Sequence, residues 1–132
     1  MSDKHILIVD DDDDNIAFMK KIIQDAGYQV QAVTDSTQAM PSLLAQKPAM
    51  VFLDVQMPGL NGFQVLKEIR ANTELAGLTV VLLSAIGAVT GQDYDPDMIE
   101  AQYGVRPDAF LPKGIAPQEI RAKIEEIMTL VQ

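Results

Sequence analysis

Four short, nearly uninterrupted apolar runs and one alternating run recur along this chain, and between them apolar residues return at helical spacing. His5–Val9 (HILIV), Val51–Val55 (VFLDV), Leu78–Leu83 (LTVVLL) and Ala109–Leu111 (AFL) have the length and composition of strands, and Tyr28–Val33 (YQVQAV) adds an alternating one. A strand that is apolar on both sides must be covered on both faces. Alternation with helices supplies that cover and makes the strands parallel. The predicted class is therefore α/β, a parallel five-stranded sheet between two layers of helices.

The connecting segments carry their own punctuation. Ile16, Met19, Ile22, Ile23 and Ala26 form one helical stripe, and Gly27 is placed to end it. Ser36 or Thr37 can cap a helix running through Leu43, Leu44 and Ala45, with Pro41 at about its fourth or fifth position and Pro48 breaking the chain afterwards. Asn61-Gly62 opens the next helix, whose inner face is Phe63, Val65, Leu66 and Ile69. Ile86–Tyr94 has two glycines and no period, so it reads as a loop. Asp95-Pro96 starts a short helix ending at Gly104, and Pro117 starts a last one with Ile120, Ile124, Ile127 and Val131 inward.

Length and composition narrow the function classes. A chain of 132 residues, 48% of them hydrophobic, is predicted to be one globular domain over 1–132. A net charge of −9 offers no basic stripe for phosphates and speaks against direct contact with nucleic acid. Six of the nineteen acidic residues precede position 15, so much of the charge is one local cluster. Without cysteine there is no disulfide, thiolate metal site or Cys nucleophile. No apolar run approaches membrane-spanning length and MSDKH has no secretory character, which predicts a cytoplasmic protein with no membrane contact. That MSDKH start reads as a true N-terminus, whereas both a stand-alone protein and a piece of a longer regulator fit the C-terminal end.

In a parallel sheet of this kind, ligands bind beyond the carboxyl ends of the strands. Those ends hold Asp10 and Asp11 after the first strand, Asp54 at the third, Ser84 after the fourth and Lys113 after the fifth. Burying Asp54 unpaired costs several kcal/mol, roughly, so other groups must meet it. Three converging carboxylates repel, and a hard cation with oxygen ligands relieves the repulsion. Mg²⁺ fits, because it accepts a few carboxylates together with waters and phosphate oxygens. Lys113 and Ser84 offer a positive charge and a donor to an incoming anion. The set suits phosphoryl transfer, where positioning and charge neutralisation do most of the catalysis.

Four motifs at these strand ends resemble the receiver domains of two-component response regulators: ILIVDD with Asn15 following, FLDVQMPGLNG, LLSA and FLPKG, in the family's order and over essentially the whole chain. The resemblance implies a flavodoxin-like (βα)₅ fold with strand order 2-1-3-4-5. It implies that Asp54 is the phosphoacceptor, taking phosphate from a histidine kinase or a histidine phosphotransfer domain as a 4-aspartylphosphate. Asp11, Asp54 and the backbone carbonyl of Gln56 would ligate Mg²⁺, or Mn²⁺ in its place, with Asp10 assisting. Lys113 would bind a phosphoryl oxygen. Ser84 would hydrogen-bond the phosphoryl group, and Phe110 would follow it as the aromatic switch residue. The output face would be built by the fourth and fifth helices with the fifth strand, where a partner, an output domain or a second copy would dock. Such a protein catalyses only its own phosphorylation and dephosphorylation and turns over no external substrate.

Other readings of the same residues are weaker. Asp10, Asp12 and Asp14 mimic an EF-hand calcium loop, but Asn15 stands in place of the turn glycine, Lys21 in place of the bidentate Glu, and a strand comes first. Asp12, Asp13 and Asp14 read as a solvated face, His5 as a structural or exposed residue, and Phe110 by default as core. A metal-dependent aspartyl phosphohydrolase commonly carries a second Asp two residues after the first, where Gln56 stands here. A degenerate receiver acting only as a binding module would lack part of the acidic pair, Asp54 or Lys113, and none is missing.

Two features depart from the family pattern. Lys113-Gly114 stands where Lys-Pro is usual, with Pro112 before the lysine instead, so the loop geometry behind Lys113 is not carried over. The stretch between Ser84 and Lys113 is several residues longer than usual, and Arg106-Pro107 is part of the surplus. Gln56 and Ile86 occupy the positions that tune dephosphorylation in the family. A bulky apolar Ile86 would screen water from the phosphoryl group. The phosphorylated form is therefore expected to be long-lived; a half-life of seconds in the presence of Mg²⁺, followed by intact-protein mass, would contradict this.

Overall fold

The computed structural model describes residues 5–55, 61–84, 96–112 and 116–130. Five strands, β1 (His5–Val9), β2 (Gln29–Val33), β3 (Met50–Asp54), β4 (Thr79–Ser84) and β5 (Ala109–Pro112), form one sheet of order β2-β1-β3-β4-β5. All pairings are parallel. Among the described residues the helices are α1 (Asp13–Asp25), α2 (Ala39–Ala45), α3 (Gly62–Ala71), α4 (Pro96–Tyr103) and α5 (Pro117–Leu130), with a 3-10 turn at Ser36–Gln38 before α2. The expected class, connectivity and strand order are all present.

The two-residue period of the strands divides the core in two. Leu7, Val9, Val51, Leu53, Val80 and Leu82 point to one face and pack with Leu43, Leu66, Ile69 and Ile99 from α2, α3 and α4. Ile6, Ile8, Met50, Phe52, Val81 and Leu83 point to the other and pack with Met19, Ile23, Ile120 and Ile124 from α1 and α5. Every residue of β1 and β3 is buried, as expected for strands inside a doubly covered sheet, whereas β2 at the edge is half-buried to exposed. Its polar alternation in YQVQAV is the mark of that edge position.

Most helix ends follow the predicted signals. Gly27 takes φ +97°, and the N–H groups of Gly27 and Tyr28 close on the carbonyls of Gln24 and Ile23, the left-handed stop foreseen at that glycine. Asn61 forms a reciprocal capping box with Gln64, at 2.8 and 2.9 Å. The cap before α2 differs from expectation. Asp35, rather than Ser36 or Thr37, accepts from the Thr37 N–H and hydroxyl at 3.0 and 2.7 Å. The hydroxyl first and the N–H second hold the Asp35 carboxyl below its ordinary pKa. The intervening 3-10 turn leaves Pro41 third in α2, where its missing N–H would have no partner within the helix.

His5 is buried, with Nε2 2.9 Å from the Gln31 side-chain oxygen, which settles it as a structural residue of the β1–β2 pair. At the amino end of the sheet, Arg70 at the end of α3 donates to the carbonyls of Ala76 (3.0 Å), Leu78 (2.6 Å) and Arg106 (3.0 Å) and to the Asp108 carboxylate (3.0 Å). Asp108 also accepts from the Val80 N–H at 2.8 Å. One guanidinium thus ties the α3–β4 and α4–β5 connections together, and Arg106, part of the surplus before β5, pairs with Asp97 and Glu100 of α4.

These two sets of charges predict unequal effects. Arg70→Met strips the donor from the partly buried Leu78 carbonyl together with three more exposed bonds, and is expected to lower the unfolding free energy by about 1–3 kcal/mol in a urea titration. Asp97→Asn breaks only an exposed pair and is expected to leave the urea midpoint nearly unchanged.

Candidate functional site

The order β2-β1-β3 makes the ends of β1 and β3 neighbours, and the register aligns Val9 with Leu53, so Asp10 and Asp54 leave the sheet side by side. Asp10 continues the ladder by donating its N–H to the Val33 carbonyl at 3.0 Å. Asp10 and Asp54 are buried, at 0% and 3% exposure, and Asp11 is exposed. Carboxylate oxygens of the three lie within 4.8 Å of one another. At that separation each pair of charges repels by about 3–4 kcal/mol in a medium of protein-like effective dielectric. The donor set is all oxygen, anionic and open on the Asp11 side, which suits a hard divalent cation.

Local structure fixes two of these carboxylates from below. Asp12, expected as part of a solvated face, is the N-cap of α1: its side chain accepts from the N–H groups of Asp14 and Asn15 at 3.0 and 3.4 Å. Its own N–H donates to Asp10 Oδ1 at 2.9 Å, and Asn15 Nδ2 donates to Asp10 Oδ2 at 2.5 Å. Both oxygens of Asp10 are therefore held by the first turn of α1, whose dipole also favours negative charge there.

Asp54 is held through the backbone. The Val55 N–H continues the β3–β4 ladder to the Leu83 carbonyl at 2.9 Å, and the Gly62 N–H closes on the Val55 carbonyl at 3.1 Å. A Cβ at position 62 would lie 2.6 Å from the Asp54 carbonyl oxygen and 2.9 Å from Val55 Cα. Only glycine lets α3 begin this close to the acidic strand end. Next to it, Phe63 stacks on Tyr103 of α4, with ring centroids 4.2 Å apart and an interplanar angle of 10°.

The remaining expected residues stand as follows. Ser84 ends β4 beside Pro112 of β5, so its backbone reaches the same rim, while its side chain lies outside the described residues. Phe110 sits in β5 beside Leu82, partly buried and packed on the core layer shared by α2, α3 and α4. Lys113, Gln56 and Ile86, with the Pro58-Gly59 turn and the 86–94 loop, lie outside the described residues. Sequence reading missed the Asp12 cap, the Asn15 contact and the backbone approach at Gly62. The Asp12–Asn15 spacing of an N-cap and its third helical residue was the available signal for the first two.

The family model for the response regulator receiver domain matches residues 6–125. The chain belongs to that family. The receiver domain is the phosphoacceptor module of two-component signalling, a switch rather than a conventional enzyme, and it works with histidine kinases and output domains. Among curated relatives, the response regulator Rre1 of Synechocystis is 31% identical over 96% of this chain and 52% of its own length. The alkaline phosphatase synthesis transcriptional regulatory protein PhoP of Bacillus subtilis is 27% identical over 95% of this chain and 48% of its own. The chain thus spans about half the length of the curated relatives it matches. Among solved structures, the receiver domain of a signal transduction histidine kinase from Syntrophus aciditrophicus superposes with a TM-score of 0.82 at 22% identity, covering 98% of this chain and 92% of that one. The fold of this receiver domain is accordingly flavodoxin-like. Among the described residues no helix is long and apolar enough to cross a membrane.

The tight approach at Gly62 predicts a contrast between two glycines. Gly62→Ala must displace the Asp54–Val55 backbone and is expected to cost about 1–3 kcal/mol of stability. Gly77→Ala, with nothing within 4 Å of the added carbon, is expected to be neutral or slightly stabilising. Urea unfolding of the two variants checks the pair.

Proposed function

We propose that this receiver domain accepts a phosphoryl group on Asp54 from a histidine kinase or a histidine phosphotransfer domain, with Mg²⁺ held at Asp10, Asp11 and Asp54. The observation that carries the reading is the buried Asp54 carboxylate at the end of β3, with the Asp10 and Asp11 carboxylates within 4.8 Å of it. Of these ligands Asp11 and Asp54, with the Gln56 carbonyl, would bind the ion directly. Mn²⁺ would serve in the same place. When bound, the cation neutralises the three carboxylates and offers a positive centre to the phosphoryl oxygens.

An Asp54 carboxylate oxygen attacks the phosphorus of the donor phosphohistidine. A P–O bond forms as the P–N bond breaks, and the departing imidazole nitrogen keeps the bonding pair and takes up a proton. The chain's own part is positional. The Val55 ladder bond and the Gly62 contact hold the backbone behind the nucleophile. Lys113 would meet a phosphoryl oxygen from the end of β5, and Ser84 would donate to the phosphoryl group from the end of β4. That inward pull would bias the surface built by α4, β5 and α5, with Phe110 following Ser84, between two arrangements. Output would be read there by a partner, by a further segment of the same polypeptide, or by a second copy, and the cytoplasm is where the switch would act. One relative, MtrA of Mycobacterium tuberculosis, is named a DNA-binding response regulator. The acidic charge of the present stretch makes any contact with nucleic acid the task of another segment.

The test is to incubate wild type and Asp54→Asn with acetyl phosphate, with and without Mg²⁺, and to weigh the products. Wild type is expected to gain one phosphoryl mass only with Mg²⁺, and Asp54→Asn none. Failure of wild type to gain mass, equal gain by the Asn variant, or equal gain without the metal would each refute a stated part of the reading.

A further inference from the structure

A cation site built from three carboxylates needs them rigid as well as close, because a small hard ion tolerates little variation in ligand geometry. Asp11 is exposed, and Asp54 is set by its strand. Asp10 is oriented by hydrogen bonds to its own side chain. It stands just where β1 ends and before α1 begins, with its backbone on the last ladder bond and its side chain turned to the first turn of α1.

We propose that Asn15 is a positioning residue of the cation site: by locking Asp10 it makes the three-carboxylate cradle rigid enough to favour Mg²⁺ over the larger Ca²⁺. The lock has three parts. Asp12 caps α1 and thereby places Asn15 as the third residue of the helix, facing back toward β1. The Asp12 N–H, a donor left over by the helix, is spent on Asp10 Oδ1 at 2.9 Å. The Asn15 amide then takes Asp10 Oδ2 at 2.5 Å, so the carboxylate is gripped at both oxygens and cannot rotate without losing a partly buried hydrogen bond. A carboxylate held at both oxygens yields little when ions of different radius, with their waters, enter the cradle.

A neutral amide suits this position. It donates without adding a fourth negative charge to three carboxylates whose oxygens already lie within 4.8 Å of one another. Lysine there would donate too, but its charge would compete with the cation for the same oxygens. Outer-shell hydrogen bonds of this kind typically alter metal affinity by about 10- to 100-fold when removed.

The inference rests on the cation reading of the site, and the experiment separates the two. Wild type, Asn15→Ala and the nearly isosteric Asn15→Leu are titrated with MgCl₂ and, separately, CaCl₂, following backbone amide shifts by NMR. Thermal unfolding in EDTA checks that each variant is folded. Both variants are expected to lose about tenfold in Mg²⁺ affinity and clearly less in Ca²⁺ affinity, narrowing the preference for Mg²⁺. Unchanged Mg²⁺ affinity in the folded variants overturns the positioning role. Equal losses for the two ions overturn the selectivity. A merely structural Asn15 would lower the unfolding temperature in EDTA and leave the ratio of the two affinities untouched, which also overturns the proposal. Should wild type bind neither ion, the cation reading itself fails, whatever the variants do.

Discussion

Repulsion among three carboxylates at the junction of β1 and β3 is the constraint around which this molecule is arranged. Two of them are buried, and their oxygens stand within 4.8 Å of those of the third. A chain can hold such a cluster only if strong packing fixes its supports and if the site faces favourable dipoles or ions. A parallel sheet meets the first need. With β1 and β3 adjacent and fully buried, the backbone beneath Asp10 and Asp54 is pinned by ladder bonds on both sides. Displacing either would disturb both halves of the core.

The second need is met locally. The acidic run at 10–14 divides into residues with distinct tasks. Asp10 is held, Asp12 caps, Asp13 and Asp14 lie in the first turn of α1 where the helix dipole favours them, and Asp11 stays open. The negative charge that looks like a solvated patch is thus partly a helix N-terminus built to grip one carboxylate. The sequence cost of this arrangement is small, because one capping aspartate and one amide at the third helical position suffice.

The fold was largely legible because its strands are short, apolar and separated by clear stops: HILIV, VFLDV and LTVVLL left few alternatives, and the alternating YQVQAV marked its own edge position. The acidic triad followed from counting strand ends, since a parallel sheet gathers them on one rim. What escaped reading depended on partners far apart in the chain or on backbone distances. Nothing in the sequence around Arg70 announces that it will reach Arg106 and Asp108, because that meeting is decided by how two loops close at the opposite end of the sheet. Gly62 reads as a helix opener, yet its reason is the 2.6 Å that a Cβ would leave to the Asp54 carbonyl. Asp35, Ser36 and Thr37 are three capping types in a row, and only the 3-10 turn chooses among them, in favour of Asp35.

Among the described residues, the supports of the acidic triad that face α1 and α3 form a continuous wall, and this bears on how a switch could work here. Toward α1 and α3 the wall is stiff: the Asp12 cap, the Asn15 amide, the Asn61–Gln64 box and the backbone contact at Gly62 all fix it. The Phe63–Tyr103 stack then braces α4 against the start of α3. A new dianion at Asp54 meeting that wall would find little room to move it, since close-packed contacts shift between discrete arrangements rather than yielding by degrees. Under the phosphoacceptor reading, movement would therefore be taken up across the site, where β4 and β5 end at Ser84 and Pro112. On that reading a rigid wall on the nucleophile's side would keep its geometry constant through phosphorylation and dephosphorylation, and the conformational change would fall to the strands that carry Ser84 and Phe110.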